Sequence, residues 1–344
     1  MKKFLINIAA FTSIGVFLLG LTVISYFVFD PFQVLYSYDS YFSNKEVIKL
    51  GKNKDFISTT TFVNNINRKK ISYDSFLFGN SRSIFYETAD WKKHIGGESK
   101  CYHFDANGEG LFAISKKIEL IKKEGLRLKH VLLFLDYKTL TQTKPATGNH
   151  LFVMTPTLLN NENFFNFHIT FLRTYLKPKF LMGYLDYKLF KKLRPYMLKG
   201  QIFEDNPVEY DVETNEVKFD YFEQLIASNQ YYTPERMAVF YQRDSLETEH
   251  PAIIGPKQKN ILQKIHKIFE RDSTDYNIII HPLYDQKKLS QEDINYLRQL
   301  FGENRVFDFS GINDITKDYN NYYEQSHYRP HIARKILDEI YQKQ

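Results

Sequence analysis

The hydrophobic pattern of the chain begins with one long apolar run. Phe4–Phe29 carries no charged residue and follows Lys2 and Lys3. As a helix it would be about 39 Å long, more than the ~30 Å hydrocarbon core of a bilayer requires. Its exit is aromatic and lacks the small-residue cleavage site of a signal peptide. The pattern therefore predicts an uncleaved, single-pass anchor within residues 1–30, with a cytoplasmic N-terminus and the rest of the chain outside the cytoplasm.

Beyond the anchor, short apolar runs alternate with patterns of helical period. The apolar runs predict buried strands: Ser75–Phe78, Lys100–Phe104, Val131–Leu135, Ile278–Ile280 and Val306–Phe309. The helical patterns lie between them and after the last one: Ser83 to His94, Leu111 to Ile121, and stretches that begin near Pro256, Ser290 and Pro330. Strands separated by helices predict an α/β domain, over residues 45–344, with a parallel sheet covered on both faces.

The alternation stops in the middle of this domain. Residues 138–255 contain a basic and aromatic stretch, Asn163–Leu193, which predicts two helices interrupted at Pro178. Val208–Phe219 alternates as a hairpin would, and Thr233 begins a short helix that ends near Arg243. We interpret 138–255 as an insertion that forms a cap or one wall of a groove.

Composition narrows the class of protein only a little. The 344 residues carry a formal net charge of +6, and the lysines are scattered, which does not favour nucleic-acid binding. Cys101 is the only cysteine, so an intrachain disulfide is excluded. Aromatic residues make up 16% of the chain. They suit contacts with sugar rings, although core packing accounts for most of them.

Candidate catalytic residues occur near the start and near the end of the predicted α/β domain. Ser81 follows the first strand in Gly79-Asn80-Ser81-Arg82-Ser83, at the carboxyl edge where ligands of open α/β sheets bind. Taken alone, Asn80 or Ser81 would be read as a helix cap. With a histidine base in reach, Ser81 becomes a candidate nucleophile whose turn offers backbone N–H groups to an oxyanion. Ser83 is the weaker candidate and more suited to supporting the turn.

The histidine is expected from the loop before the last helix. His327 lies three residues after Glu324, and we predict that His327 is the base and Glu324 the acid that orients it. Asp318 is the alternative acid. His327 and His331 could also be read as metal ligands, but no third ligand is evident and we expect no metal.

With these motifs the chain resembles the SGNH/GDSL hydrolase superfamily, in particular membrane-anchored members of bacterial envelopes. Gly79-Asn80-Ser81 stands where that family has Gly-Asp-Ser, Asn107-Gly108 corresponds to its second block, and Glu324-x-x-His327 stands for Asp-x-x-His. The resemblance implies a three-layer α/β/α sandwich with five parallel strands, of flavodoxin-like order. It also implies oxyanion donors at the N–H groups of Ser81 and Gly108, and a reaction without a cofactor.

One block departs from the family pattern. Leu135-Asp136-Tyr137 stands where the family has an asparagine that donates to the oxyanion, and an ionised carboxylate only accepts hydrogen bonds. Three explanations are open. Asn107 donates to the oxyanion instead, the activity is weak, or Asp136 holds the loop in place.

Two functions remain open from the sequence. One is a serine esterase or O-acyltransferase of the bacterial cytoplasmic membrane, acting on an acylated envelope glycan; sequence does not separate hydrolase from transferase. The other is an inactive relative that binds glycan or a membrane partner.

Overall fold

The computed structural model describes residues 1–42, 48–198, 203–205, 209–243 and 246–342. It contains one helix, α1 (Lys2–Phe29), that is long and apolar enough to cross a membrane. Its side chains are almost all exposed until Tyr26, which is buried against the following domain. The helix ends at Asp30, which adopts the left-handed conformation and whose carboxylate accepts the N–H groups of Val34, Leu35 and Tyr36 at 3.0–3.2 Å. Asp30 thus fixes the direction in which the chain leaves the helix.

A five-stranded parallel sheet forms the centre of the domain. Its strands, labelled in chain order, are β1 (Ser75–Asn80), β2 (Cys101–Ala106), β3 (His130–Leu135), β4 (Asp275–Ile280) and β5 (Val306–Asp308). Their order across the sheet is β2-β1-β3-β4-β5, and every neighbouring pair is parallel. All five apolar runs chosen from the sequence are strands, so the α/β class and the parallel sheet are confirmed.

Helices accompany the strands throughout the described residues. They are α2 (Lys54–Asn67), α3 (Thr88–Ile95), α4 (Leu111–Lys123), α5 (Tyr137–Thr141), α6 (Phe164–Tyr175), α7 (Pro178–Phe190), α8 (Pro195–Leu198), α9 (Asp220–Ala227), α10 (Pro234–Met237), α11 (Pro256–Asp272), α12 (Gln291–Phe301), α13 (Asp314–Lys317) and α14 (Pro330–Gln342). Short 3₁₀ turns occur at Ser83–Phe85, Pro156–Leu159, Glu303–Arg305 and Tyr319–Asn321. Four small strand pairs complete the structure: Ile48–Leu50 with Phe203–Asp205, Glu209–Asp211 with Glu216–Lys218, Thr248–Glu249 with Lys287–Lys288, and Tyr322–Glu324 with His327–Tyr328.

The two faces of the sheet carry separate cores. Alternate strand side chains, such as Phe76 and Leu133, pack under α2, α4, α11 and α12 on one face. Their sequence neighbours, such as Leu77 and Phe134, pack under α3 and α14 on the other. This division follows from the period of two along a strand. Since both faces are covered, the strands read as continuous apolar runs.

Two expectations about local structure need correction. The segment after Ser83 is a 3₁₀ turn, and the α-helix begins only at Thr88, so no α-helix starts at Ser81. A short 3₁₀ turn offers little macrodipole to an oxyanion. The helix from Thr233 is also shorter than expected and ends at Met237.

Residues 138–255 contact both the end of α1 and the central sheet. The two predicted helices, α6 and α7, are present and pack against the end of α1. The hairpin around Thr214 is also present over Glu209–Lys218, while Val208 lies outside the described residues. Asn215 in its turn hydrogen-bonds the backbone of β2 at His103. The region therefore surrounds the sheet at several places.

Candidate active site

The candidate site lies at the carboxyl edge of the sheet, where the strand order changes direction. β1 lies between β2 and β3, so the chain leaves it first to one side and later to the other. Ligands bind at such switch points in open α/β sheets. Ser81 follows β1 directly and Asp136 follows β3 directly, which brings these two sequence-predicted residues to the same point.

Ser81, His327 and Glu324 form a continuous hydrogen-bonded chain. His327 Nε2 lies 2.9 Å from Ser81 Oγ, and His327 Nδ1 contacts Glu324 Oε1. The imidazole also packs edge-on against the ring of Phe85, with 5.9 Å between the ring centroids. The histidine thus has a hydroxyl on one nitrogen and a carboxylate on the other, which is the geometry that general-base activation of a serine requires.

The spacing of Glu324 and His327 has a simple structural cause. Tyr322–Glu324 and His327–Tyr328 pair as an antiparallel hairpin in which Glu324 lies opposite His327. Directly opposed side chains of such a pair lie about 5 Å apart on one face. The second carboxylate oxygen of Glu324 accepts the N–H of Ser326 at 3.0 Å, so the turn also holds the carboxylate.

Ser81 is held in place by its neighbours in the turn after β1. Ser83 is buried, and its hydroxyl donates to Asn80 O at 2.8 Å and contacts His103 Nε2 at 3.0 Å. A Cβ on Gly79 would come within 2.7 Å of Ser83 and 2.9 Å of Phe134, so this position has no room for a side chain. Ser83 therefore supports the turn, which the sequence favoured.

The carboxylate of Asp136 is fully engaged by neighbouring hydrogen-bond donors. Asn80 Nδ2 donates to its Oδ2 at 2.8 Å, Arg82 Nη1 donates to the same oxygen at 2.5 Å, and Thr139 N donates to Oδ1 at 2.7 Å, capping α5. Burial alone would raise the pKa of Asp136, but the positive charge of Arg82 and these hydrogen bonds outweigh it and lower the pKa. Asp136 is therefore ionised and accepts hydrogen bonds only.

Arg82 is the site residue that sequence reasoning missed. Besides its ion pair with Asp136, its Nε donates to Ser326 O at 3.2 Å, in the turn between Glu324 and His327. It therefore ties the loop that carries Ser81 to the turn between Glu324 and His327. Its place beside Ser81 and the unexplained acid at position 136 were the signals that could have suggested the pair.

A second histidine lies beneath the site and was also missed. His281 directly follows β4, is buried, and its Nδ1 contacts Tyr328 Oη at 2.8 Å. Its ring stacks on Phe134 with a 6° angle between the planes. Burial lowers the pKa of His281 to about 3, so the ring is neutral next to the ionised Asp136.

The other sequence-predicted oxyanion residues follow the neighbouring strand. Ala106 at the end of β2 pairs in register with Asn80, so Asn107 and Gly108 leave the sheet beside Ser81. Gly108 has a positive φ of 59° and its backbone is exposed. Within the described residues, the N–H groups of Ser81 and Gly108 make no turn, loop or cap hydrogen bond.

The hairpin that carries Glu324 and His327 is braced by residues of region 138–255. Glu223 in α9 accepts from Arg329 Nη2 at 2.6 Å and from Tyr323 Oη at 2.6 Å. Tyr231 and Tyr232 donate to the carbonyls of Tyr323 and Tyr322. Region 138–255 thus contacts the hairpin of Glu324 and His327 at Tyr322, Tyr323 and Arg329.

A cavity of about 280 Å³ adjoins the site. Arg82 and Ser326 line its inner end, while Tyr241 and His250 from the inserted region line its wall. His250 stacks on Tyr137 at 4.2 Å between ring centroids. Residues of region 138–255 therefore line a cavity next to Arg82 and Ser326.

The other sequence candidates, Asp318 and His331, do not contact the imidazole of His327 in the described residues. Asp318 is exposed and caps the 3₁₀ turn Tyr319–Asn321, so Glu324 is the acid at His327. His331 Nε2 contacts Asn321 Oδ1 at 3.0 Å. In the described residues, no group of three or more His, Cys, Asp or Glu is arranged to hold a metal ion.

Comparison with known proteins adds no assignment to this geometry: no protein-family model matches the chain, and no curated protein matches it.

Proposed function

We propose that the protein is a membrane-anchored serine esterase or O-acyltransferase with an SGNH-type site, acting outside the cytoplasm of a bacterium on acyl esters of a cell-envelope glycan. The observation that carries this proposal is the hydrogen-bonded chain from Ser81 through His327 to Glu324. The resemblance of the motifs and the strand order β2-β1-β3-β4-β5 support it.

The chemical steps follow from the atoms at the site. Ser81 Oγ attacks the acyl carbonyl while His327 Nε2 takes its proton, and Glu324 stabilises the imidazolium through Nδ1. The N–H groups of Ser81 and Gly108 are the donors for the oxyanion, with Asn107 beside them. His327 then returns the proton to the leaving oxygen. Water or a sugar hydroxyl resolves the acyl-enzyme, which decides between esterase and transferase.

The test is covalent labelling of the full-length protein in detergent with a fluorophosphonate probe. Ser81→Ala should abolish labelling, since the probe reacts only with an activated serine hydroxyl. His327→Ala should slow it by about a hundredfold or more, the usual contribution of a general base. Ser228→Ala removes an exposed hydroxyl elsewhere and serves as the control.

The ionised state of Asp136 favours a second candidate, an inactive protein that binds an envelope glycan or a membrane partner. A family asparagine would supply an oxyanion donor at that position, and losing one such donor costs about 3–4 kcal/mol in the transition state. Wild-type protein that is folded but takes no probe at Ser81 would rule out the enzyme and leave the binding protein.

A further inference from the structure

A large cavity lies where the membrane anchor meets the folded domain. It measures about 620 Å³, and Tyr26 and Phe27 in the last turn of α1 form one wall. The 28 residues of α1 extend for about 42 Å, which exceeds the ~30 Å hydrocarbon core. The cavity therefore lies at the level where the bilayer meets water.

Most of the cavity wall is apolar. Val34 and Leu35 come from the segment after the anchor, Phe56 from α2, and Phe167 and Leu172 from α6. The volume is in the range of sites that bury small ligands. Apolar surface of this kind gains about 25 cal/mol per Å² when water leaves it, so the cavity favours a hydrocarbon ligand.

Three polar side-chain atoms in the wall lack partners. Tyr26 Oη, Tyr41 Oη and His168 Nδ1 are buried and make no hydrogen bond within the described residues. All three residues line the cavity. Buried polar groups are ordinarily paired, so unpaired ones at a cavity indicate a ligand with hydrogen-bonding atoms. A molecule with a long apolar chain and a polar linkage satisfies both requirements.

Next to the cavity, α6 and α7 form an apolar and basic surface at the end of α1. α6 and α7 pack on the end of α1: Ser25 Oγ contacts Tyr175 Oη at 2.8 Å, and Tyr184 lies beside Phe29. These two helices expose large apolar side chains: Phe164, Phe165, Met182, Leu189 and Phe190. Exposed lysines lie among and around them: Lys177, Lys179, Lys188, Lys191 and Lys192. Apolar and basic residues together are typical of a surface that lies in the headgroup region of a membrane.

We propose that this cavity binds one hydrocarbon chain of a phospholipid from the surrounding bilayer, with the polar linkage of the lipid against Tyr26 and His168. The site goes beyond the proposed acyl-ester chemistry and does not depend on it. It makes α6 and α7 a second membrane contact beside the anchor. A lipid held there fixes the height and orientation of the domain above the membrane.

The test uses full-length protein in nanodiscs of phosphatidylethanolamine and phosphatidylglycerol. A small fraction of the lipid carries a photoactivatable diazirine in its acyl chain, and crosslinked residues are mapped by mass spectrometry. Phe56 is the diagnostic position, because it lines the cavity and belongs to α2, outside the membrane helix. We expect crosslinks at Phe56 in the wild-type protein. Crosslinks confined to α1 and to Phe165 would overturn the proposal.

Two substitutions block the cavity from its rim. Thr157 and Ser37 are exposed lining residues, so Thr157→Trp and Ser37→Trp fill the cavity without disturbing the core. Relative to crosslinks on Phe4–Ile24, which report insertion of the anchor, the yield at Phe56 should fall by about tenfold in each variant. Thr248→Trp, at an exposed threonine outside the cavity, should leave it unchanged. Equal yields at Phe56 in folded blocked and control variants would exclude the site.

Discussion

The two carboxylates near Ser81, Glu324 and Asp136, have different partners. Glu324 orients the histidine, whereas Asp136 is already engaged by Asn80, Arg82 and the N-terminus of α5. Two acids near one serine thus have separate roles. The acid at position 136 is explained by its ion pair with Arg82.

Asp136→Asn should destabilise the protein and leave probe labelling flat or lower. A neutral amide cannot form an ion pair with Arg82. Its NH₂ group would also face the N–H donors that now bind the carboxylate. Breaking a buried ion pair typically costs about 3–5 kcal/mol. Thermal unfolding in detergent measures the loss. Asp39→Asn is the control, because Asp39 is paired with Arg68 at the exposed surface, where an ion pair contributes little. A variant that labels faster than wild type would show instead that position 136 limits the oxyanion hole.

Buried neutral histidines should make the fold sensitive to acid. Burial lowers the pKa of His103 and of His150 to about 4 and that of His281 to about 3. An unfolded histidine titrates near pH ~6.5, so the unfolded state binds more protons below that value. This part of the stability is present above pH ~6.5 and is lost as pH falls towards ~4.

His150→Leu tests this at a single side chain. His150 Nε2 is buried without a partner in the described residues, and its ring packs on Phe32. Leucine should keep the packing and remove one titrating group. The midpoint of thermal unfolding should therefore fall less steeply in the variant between pH ~6.5 and ~4. Parallel curves for wild type and variant would contradict the assignment.

At the scale of elements, the hairpin with Glu324 and His327 depends on contacts from outside itself. Two paired strands of two or three residues are not stable alone. Arg82 holds the turn from the sheet side, and Glu223 holds Arg329 and Tyr323 from the inserted region. The position of His327 therefore depends on three separate chain segments.

Glu223→Gln should loosen this hairpin while the sheet stays folded. The charge-assisted pair with Arg329 is lost, and a displacement of a catalytic group by about 1 Å can cost up to roughly a hundredfold in rate. We expect fluorophosphonate labelling of Ser81 to slow by about tenfold. Glu98→Gln, at an exposed glutamate, should label as wild type does. Unchanged labelling in the Glu223 variant would show that the hairpin needs no brace from α9.

At the scale of the whole molecule, the chain combines one helix that is long and apolar enough to span a membrane with an α/β domain that packs directly on its end. Tyr26, Phe32, Phe171 and Phe180 belong to one buried cluster, so the helix end is part of the folded core. The proposed anchor would therefore keep the domain close to the membrane surface, which suits the proposed envelope substrate.

The proposed orientation of α1 predicts where the domain lies. Lys2 and Lys3 precede the apolar run, and basic residues favour the cytoplasmic side. A phosphatase that is active only outside the cytoplasm, fused after residue 344, should be active. The same fusion carrying Lys2→Glu and Lys3→Glu should lose part of that activity. A reporter enzyme that is active only in the cytoplasm, fused at the same place, should be inactive. Activity of that fusion would show that the orientation is reversed.

The sequence by itself determined the features that depend on local spacing. The apolar run of α1 can be recognised from its length and its lack of charge. The strands at Leu77 and Leu133 can be recognised from apolar residues at successive positions, which needs no knowledge of the rest of the fold. Glu324 and His327 could be paired because they lie only three positions apart. Their approach to Ser81 could be expected because the strand edge is a known place for ligands.

Only the tertiary structure decided the contacts between distant segments. Arg82 and Asp136 are 54 positions apart, and Glu223 and Arg329 are 106 apart. No local pattern marks such pairs, because they form only where the crossovers and the inserted region place them. The same holds for the cavity at the end of α1, whose wall combines the anchor, α2 and α6. Periodicity specifies which faces are buried, whereas the folded chain specifies which buried or charged groups meet.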